Sequence, residues 1–187
     1  MPKKHKIIVD DYIDYTIKKI KELPAGKYYI GDLCYLQSKL KEDSYSYEVI
    51  NIIFYGTKYT PPVEKTGMYE DVATGICFYF TAGFGGDGTY DTYVNGKYKL
   101  GLAVDSGSIG AFPYPHASEF KSKGARSPAG QRKIPDSFMK EHTLTHTFKE
   151  DFECGETYGK IFRGGANLVA ACSIGDVVVD FKGSDEE

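Results

Sequence analysis

The sequence predicts a mainly β, α+β domain: a β-sandwich or partly open barrel with an N-terminal amphipathic helix packed against it. Three observations lead there. The chain holds 16 Tyr and 11 Phe but no Trp, and aromatic residues in alternating runs favour sheets. Asn95-Gly96 stands between two alternating runs, the strongest short-range mark of a type I′ hairpin. Apolar, β-branched and aromatic runs of strand length recur between Gly, Pro, Asn and Asp turns from residue 26 onward.

With 187 residues, 41% of them apolar, residues 1–187 read as a single β-rich domain with a buried core. A net charge of −3 and a pI near 5.8 argue against nucleic-acid binding by overall attraction, because phosphate neutralisation needs clustered Lys and Arg. No apolar run approaches the roughly 20 residues needed to span a bilayer, so no membrane partner is expected. The opening "MPKKHKIIVDDY" is basic but leads into charged residues, which is not a secretory signal, and a cytoplasmic location is expected. Cys34, Cys77, Cys154 and Cys172 are far apart, the pattern of buried reduced thiols.

In chain order, "DDYIDYTIKKIKEL" (10–23) places Ile13, Ile17 and Ile20 at helical spacing. Its aspartates fall at the positive end of the helix dipole and its lysines at the negative end, and Pro24 and Gly26 stop it. "GKYYIGDLCYL" (26–36) begins as a strand, turns at Gly31-Asp32 and continues as an apolar piece. "SYEVINIIFYG" (46–56) is continuously apolar and reads as helix passing into strand. "GICFYFTA" (75–82) is a strand. In the Asn95-Gly96 hairpin, pairing Val94 with Lys97 puts Tyr93, Tyr98, Leu100, Leu102 and Val104 on the core face. Residues 113–135 read as a long exposed basic loop, with Lys121, Lys123, Arg126, Arg132 and Lys133 as the one local nucleic-acid-like signal. "EHTLTHTFKEDFE" (141–153) alternates, with His142, Leu144, His146 and Phe148 on one face. "GKIFRGG", "NLVAACSIGD" and "VVVDFKG" supply the last strands, and 183–187 is an acidic tail.

Gly83, Gly85 and Gly88 form G-x-G-x-x-G after a strand, but a dinucleotide loop must lead into a helix whose N-terminus meets the pyrophosphate. Here the glycines lead into "TYDTYV", which enters a hairpin, and no P-loop is present either. No cofactor is expected. His142 and His146 share a strand face, but four residues at 3.3 Å each put them about 13 Å apart, too far for one metal ion. "DGTYD" offers too few oxygen ligands for calcium, so no metal site is expected. Cys34 and Ser106 are candidate nucleophiles only if a histidine reaches them from elsewhere in the fold.

The runs I-G-D-x-C-Y at 30–35, G-D-G-x-Y at 86–90 and V-D-S-G-x-I-G at 104–110 resemble a family of small, largely uncharacterised proteins of bacteria, phages and large DNA viruses. The resemblance covers residues 26–36 and 77–114, with Leu33 where the family has proline and no match after Tyr114. It implies a compact β-rich domain and no particular activity. The resembling pieces are turns, and turns bearing Gly, Asp and Ser can line a pocket for a small polar ligand. The candidate ligand-binding residues are therefore Asp32, Gly86, Asp87, Gly88, Asp91, Asp105 and Ser106. The leading expectation is a non-catalytic binding or assembly protein, viral in origin if the resemblance holds and then located in host cytoplasm or virion, with a small polar ligand or protein as partner. The alternatives are a small hydrolase using Cys34 or Ser106 with a histidine, and a self-assembling homo-oligomer joined by its tyrosines.

Overall fold

In the computed structural model, which describes residues 8–9, 12–13, 16–81, 87–122, 134–160 and 167–180, two antiparallel sheets face each other and two helices cover the back of one of them. The elements in chain order are β1 (Ile8–Val9), β2 (Tyr12–Ile13), β3 (Ile17–Lys19), β4 (Gly26–Gly31), α1 (Leu33–Ser38), α2 (Tyr45–Tyr55), β5 (Gly67–Asp71) and β6 (Cys77–Phe80). There follow β7 (Gly88–Val94), β8 (Lys97–Val104), β9 (Gly110–Pro113), a 3-10 turn (Ala117–Glu119), α3 (Asp136–His142), β10 (Leu144–Phe148), β11 (Cys154–Lys160), β12 (Asn167–Ile174) and β13 (Val177–Asp180). One sheet has the order β10-β4-β9-β6-β5-β3 and the other β11-β12-β13-β7-β8, while β1 and β2 make a small ribbon. Among the described residues no helix is long and apolar enough to cross a membrane, and all four cysteines are free.

Side-chain alternation along the six-stranded sheet builds two cores. Tyr28, Ile30, Tyr79 and Ala111 point between the sheets and meet Tyr90, Leu102, Val104, Cys172, Ile174, Val177 and Val179. Their neighbours Tyr29, Phe78, Phe80 and Phe112 point the other way, onto Leu33, Leu36, Val49, Ile50 and Ile53 of the helices. Tyrosines serve in these cores because each hydroxyl has an acceptor: Tyr28 donates to the Pro24 carbonyl at 2.8 Å, Tyr29 to the Asp32 carbonyl at 2.7 Å and Tyr79 to Glu156 Oε2 at 2.7 Å. The mainly β sandwich expected from the sequence is what forms.

The expected N-terminal helix over 10–23 does not form: the described part of that segment is β2, β3 and an isolated bridge from Leu23 to Phe152. Residues three apart share a helical face but lie on opposite faces of an extended chain. Ile17 packs into the helix-side core and Ile20 into the core between the sheets, so a sheet buried on both faces imitates helical spacing. Lys18 pairs with Glu70 at 3.4 Å across β3 and β5. The 46–56 run is helical throughout as α2, capped by Ser44 Oγ accepting from Tyr47 N, and ends at Gly56 without passing into strand. The apolar piece after Asp32 is helix α1.

The hairpin turns at Asn95 and Gly96 with φ of 51° and 79°, as type I′ requires, and Val94 pairs with Lys97. Its faces differ from the expected ones. A bulge lets Tyr93 pair with Tyr98 and Thr92 with Leu100, so Leu100, Leu102 and Val104 remain on the core face while Tyr98, 57% exposed, turns outward. Likewise His142 ends α3, and the predicted alternation begins only at Leu144.

Residues 113–122 are not a loose loop. Pro113 closes β9, the 3-10 turn follows, and Phe120 bridges Leu40. Lys123, Arg126, Arg132, Lys133 and the acidic tail 183–187 lie outside the described residues.

Candidate functional site

Asp32 is fully buried between β4 and α1, and its carboxylate accepts four hydrogen bonds. Oδ1 receives Cys34 N at 3.0 Å and Ser106 Oγ at 2.8 Å, while Oδ2 receives Asp105 N at 2.7 Å and Ser106 N at 2.6 Å. One residue thus caps α1 and fixes the turn after β8. Ser106 Oγ also meets Ser108 Oγ at 2.7 Å. The fold therefore brings together Asp32, Asp105 and Ser106, but both Asp32 oxygens and both backbone amides are taken up by one another. Asp87, exposed, acts electrostatically on the nearby Cys34 thiol. Gly88 opens β7, and Asp91 is carried into the five-stranded sheet opposite Gly101 and Asp180. Gly86 lies outside the described residues.

This cluster lacks a nucleophile's environment. Burial, then the Asp32 carboxylate, pushes the Cys34 thiol well above its ordinary value, which suppresses the thiolate. The described histidines bond elsewhere: His116 Nδ1 to Ser118, His142 Nδ1 to the Gly101 carbonyl at 3.4 Å and His146 Nε2 to Asp176 Oδ1 at 3.0 Å. Among the described residues none of them hydrogen bonds to Cys34 or Ser106, and no three His, Cys, Asp or Glu are grouped to hold a metal ion.

A separate cleft of about 220 Å³ opens where the start of α2, the β5–β6 turn and the end of β9 converge. Its walls are Tyr45, Ile76, Phe112, Pro113, Tyr114 and Pro115, and its polar members are Ser46, Thr74, His116 and Glu119. Glu119 organises it. Its Oε1 accepts from Ser46 N at 2.9 Å, in the first turn of α2, and its Oε2 from His116 N at 3.1 Å. The 3-10 turn that carries Glu119 is held to the chain before α2 by Lys41 N donating to the Glu119 carbonyl at 2.8 Å and Lys121 N to the Lys39 carbonyl at 2.9 Å. Lys27 Nζ lies 4.2 Å over the Tyr114 ring.

The tautomer of His116 follows from its partner. His116 Nδ1 accepts from Ser118 N at 3.1 Å; a backbone N–H can only donate, so the neutral imidazole carries its proton on Nε2. Ser46 is 3% exposed, and its backbone N–H donates to Glu119 Oε1. Sequence reasoning missed this site. A signal was there, H-x-x-E at His116–Glu119, a capping box; the motif is ordinarily sought with Ser or Thr in first place.

The sequence matches no protein-family model, no curated protein and no solved structure.

Proposed function

We propose that this chain is a non-catalytic binding module whose ligand enters the cleft beside Glu119, the Gly/Asp turns serving to hold the fold. The observation that carries this reading is the cleft itself: an aromatic and proline wall with a few convergent polar groups, the usual make-up of a recognition site. Its volume of about 220 Å³ is below the roughly 300–1,000 Å³ of sites for drug-sized ligands. It suits one or two rings. The I-G-D and V-D-S-G runs that carry the resemblance to small bacterial, phage and viral proteins meet through Asp32. The four free thiols support work in a reducing compartment such as the cytoplasm. The raised Cys34 thiol and the separately bonded histidines weigh against a hydrolase.

The reading is tested by ¹H–¹⁵N NMR titration with phenol, benzamide and N-acetylprolinamide. Saturable shifts should gather at Ser46, Ile76, Tyr114 and His116 and vanish in Tyr114→Ala. Shifts gathered at Asp87, Asp105 and Ser106 would return the site to the Gly/Asp turns, and no saturable shift anywhere would remove the reading.

Assembly is a second reading, favoured by one observation. Tyr98 packs edge-on against Tyr93 at 5.9 Å, and Val178 pairs with Tyr93, so Tyr98, Tyr93 and Val178 form a row across the outer face of the five-stranded sheet. Tyr98 is 57% and Val178 38% exposed. A mass by light scattering that falls to the monomer in Val178→Lys would support it; a monomer at all concentrations would end it.

A further inference from the structure

We infer that the free edge of β10 pairs with the same strand of a second copy of this chain, joining two six-stranded sheets about a twofold axis. The contact is separate from the cleft and from the row of tyrosines. A sheet edge carries unpaired backbone N–H and C=O groups, and soluble proteins blunt such edges with short strands, lysines, bulges or a covering helix. Three of the four edges of the two main sheets are blunted in these ways. β3 has three residues, two of them Lys18 and Lys19. β8 bears Lys97 and Lys99 and lies against α3, whose His142 Nδ1 meets the Gly101 carbonyl at 3.4 Å. β11 is broken by a bulge between Thr157 and Tyr158. β10, Leu-Thr-His-Thr-Phe, has no lysine, proline or bulge. It runs in unbroken register with β4 and, among the described residues, pairs with β4 alone.

The backbone directions in β10 follow from the other side of β4. Tyr114 N donates to the Lys27 carbonyl at 2.9 Å, so Lys27 and, by alternation, Tyr29 turn their backbone groups toward β9, and Tyr28 and Ile30 turn theirs toward β10. Their partners His146 and Leu144 are thereby bonded within the sheet, which leaves the N–H and C=O groups of Thr145 and Thr147 directed out of the edge. Both threonines are exposed. A twofold axis at His146 lays the strand antiparallel on its own copy, with Leu144 opposite the partner's Phe148 and Thr145 opposite the partner's Thr147. Each threonine then exchanges its backbone bonds across the axis. Threonine opposite threonine is a favourable cross-strand pair, and β10 holds no Asp, Glu, Lys or Arg to set like charges together. The histidines meet at the axis while each keeps its own Asp176, at 3.0 Å from Nε2. The single open edge also decides the occupant: two copies use up both open edges, so assembly closes as a dimer instead of growing into a filament.

The experiment uses the full chain in sedimentation equilibrium from about 10 μM to about 1 mM, with amide hydrogen exchange read by NMR at both ends of that range. The mass should rise from monomer to dimer and stop there. Exchange at Thr145 and Thr147 should slow at the higher concentration, while Leu144 and His146, bonded to β4 in either state, should not change. Two double variants test the register. Thr145→Glu with Thr147→Glu sets like charges opposite each other on both sides of the axis and should weaken the dimer at least about 10-fold. Thr145→Lys with Thr147→Glu sets opposite charges there and should dimerise at least as tightly as the parent. Both variants carry Thr147→Glu beside Lys27, so the comparison turns on position 145 alone. A monomer throughout the range would overturn the inference. So would a dimer that the double glutamate variant leaves intact, or one that Val178→Lys dissolves, which would give the contact to the tyrosine row. Slow exchange of Thr145 and Thr147 at every concentration would put another stretch of this chain on the edge and would overturn it as well.

Discussion

Asp32 holds Ser106 twice, through its backbone N–H at 2.6 Å and its hydroxyl at 2.8 Å, across 74 positions of sequence. The pair joins the end of β4 to the end of β8, one strand from each sheet. It is a clasp between the two layers of the sandwich and the N-cap of α1 at once.

The clasp makes Asp32 a stability residue. Asp32→Asn sets an NH2 group against a backbone N–H donor in either amide orientation, against Cys34 N at Oδ1 or against Asp105 N and Ser106 N at Oδ2, and Asp32→Ala leaves all three backbone donors without their acceptor. Bonds to a charged group contribute about 1.5–3 kcal/mol each but do not add fully, so either change should destabilise by at least about 3 kcal/mol. Ser106→Ala removes one of the four bonds and should lose about 1 kcal/mol. Urea unfolding of the three variants checks this ordering; an Asp32→Asn protein as stable as the parent would show the clasp to be incidental.

Gly110 and Leu33 set how closely α1 approaches the sheet. A Cβ on Gly110 would stand 2.6 Å from Leu33 Cγ and 2.7 Å from Cδ1, inside contact distance, with Leu33 itself fully buried. Gly110→Ala should therefore destabilise by about 1–3 kcal/mol through overpacking. Leu33→Ala alone opens a cavity and loses about 2–5 kcal/mol, while the double variant should be more stable than the sum predicts, because the new methyl enters the vacated space. A double-mutant cycle reads this coupling directly, and strict additivity would remove the argument.

These two contacts show what the sequence could and could not say. The hairpin was legible because Asn95-Gly96 demands its turn locally, and the type of fold because β-branched and aromatic runs repeat at strand length. The helix over 10–23 was misread because Ile17 and Ile20 serve two different cores, a tertiary fact that period analysis of one segment cannot hold. The motifs with Asp32, Asp105 and Ser106 stand out in the sequence as turns that bear Gly, Asp and Ser. That they would meet each other depended on strand order, which no spacing within either motif encodes. The cleft stayed hidden because Ser46 and Glu119 belong to segments that read separately as helix and loop.

Thr92 fills the bulge that turned Tyr98 outward. Its Oγ1 donates to the Leu100 carbonyl at 2.8 Å and accepts from Leu100 N at 3.2 Å, so a fully buried side chain stands in for the missing ladder bonds. Thr92→Val keeps the shape and strands both Leu100 groups, which should lower stability by about 1–3 kcal/mol, whereas Thr92→Ser should retain most of it. Hydrogen exchange at the Leu100 amide should speed up in the valine variant alone. Unchanged exchange there would mean that Leu100 finds its partners elsewhere.

The buried thiols and phenols make the fold vulnerable to base. Burial raises Cys34, Cys154 and Cys172 above the ordinary thiol value of 9.0 and Tyr28, Tyr29, Tyr79 and Tyr90 above the ordinary phenol value of 10.0. In the folded chain these groups stay protonated where the unfolded chain has begun to release its protons. By linkage the unfolded state then binds fewer protons, so stability falls as pH rises. The contribution is complete below about pH 9, starts to be lost there as the unfolded thiols ionise, and is lost more steeply above about pH 10 when the phenols join. Urea midpoints measured under reducing conditions from about pH 7.5 to about pH 10.5 should be level at first and then drop with a slope of more than one proton. Cys172→Ala should flatten the first part of that drop and leave the second. A midpoint level to the top of that range would mean that these groups ionise as easily folded as unfolded, and the burial argument would fail.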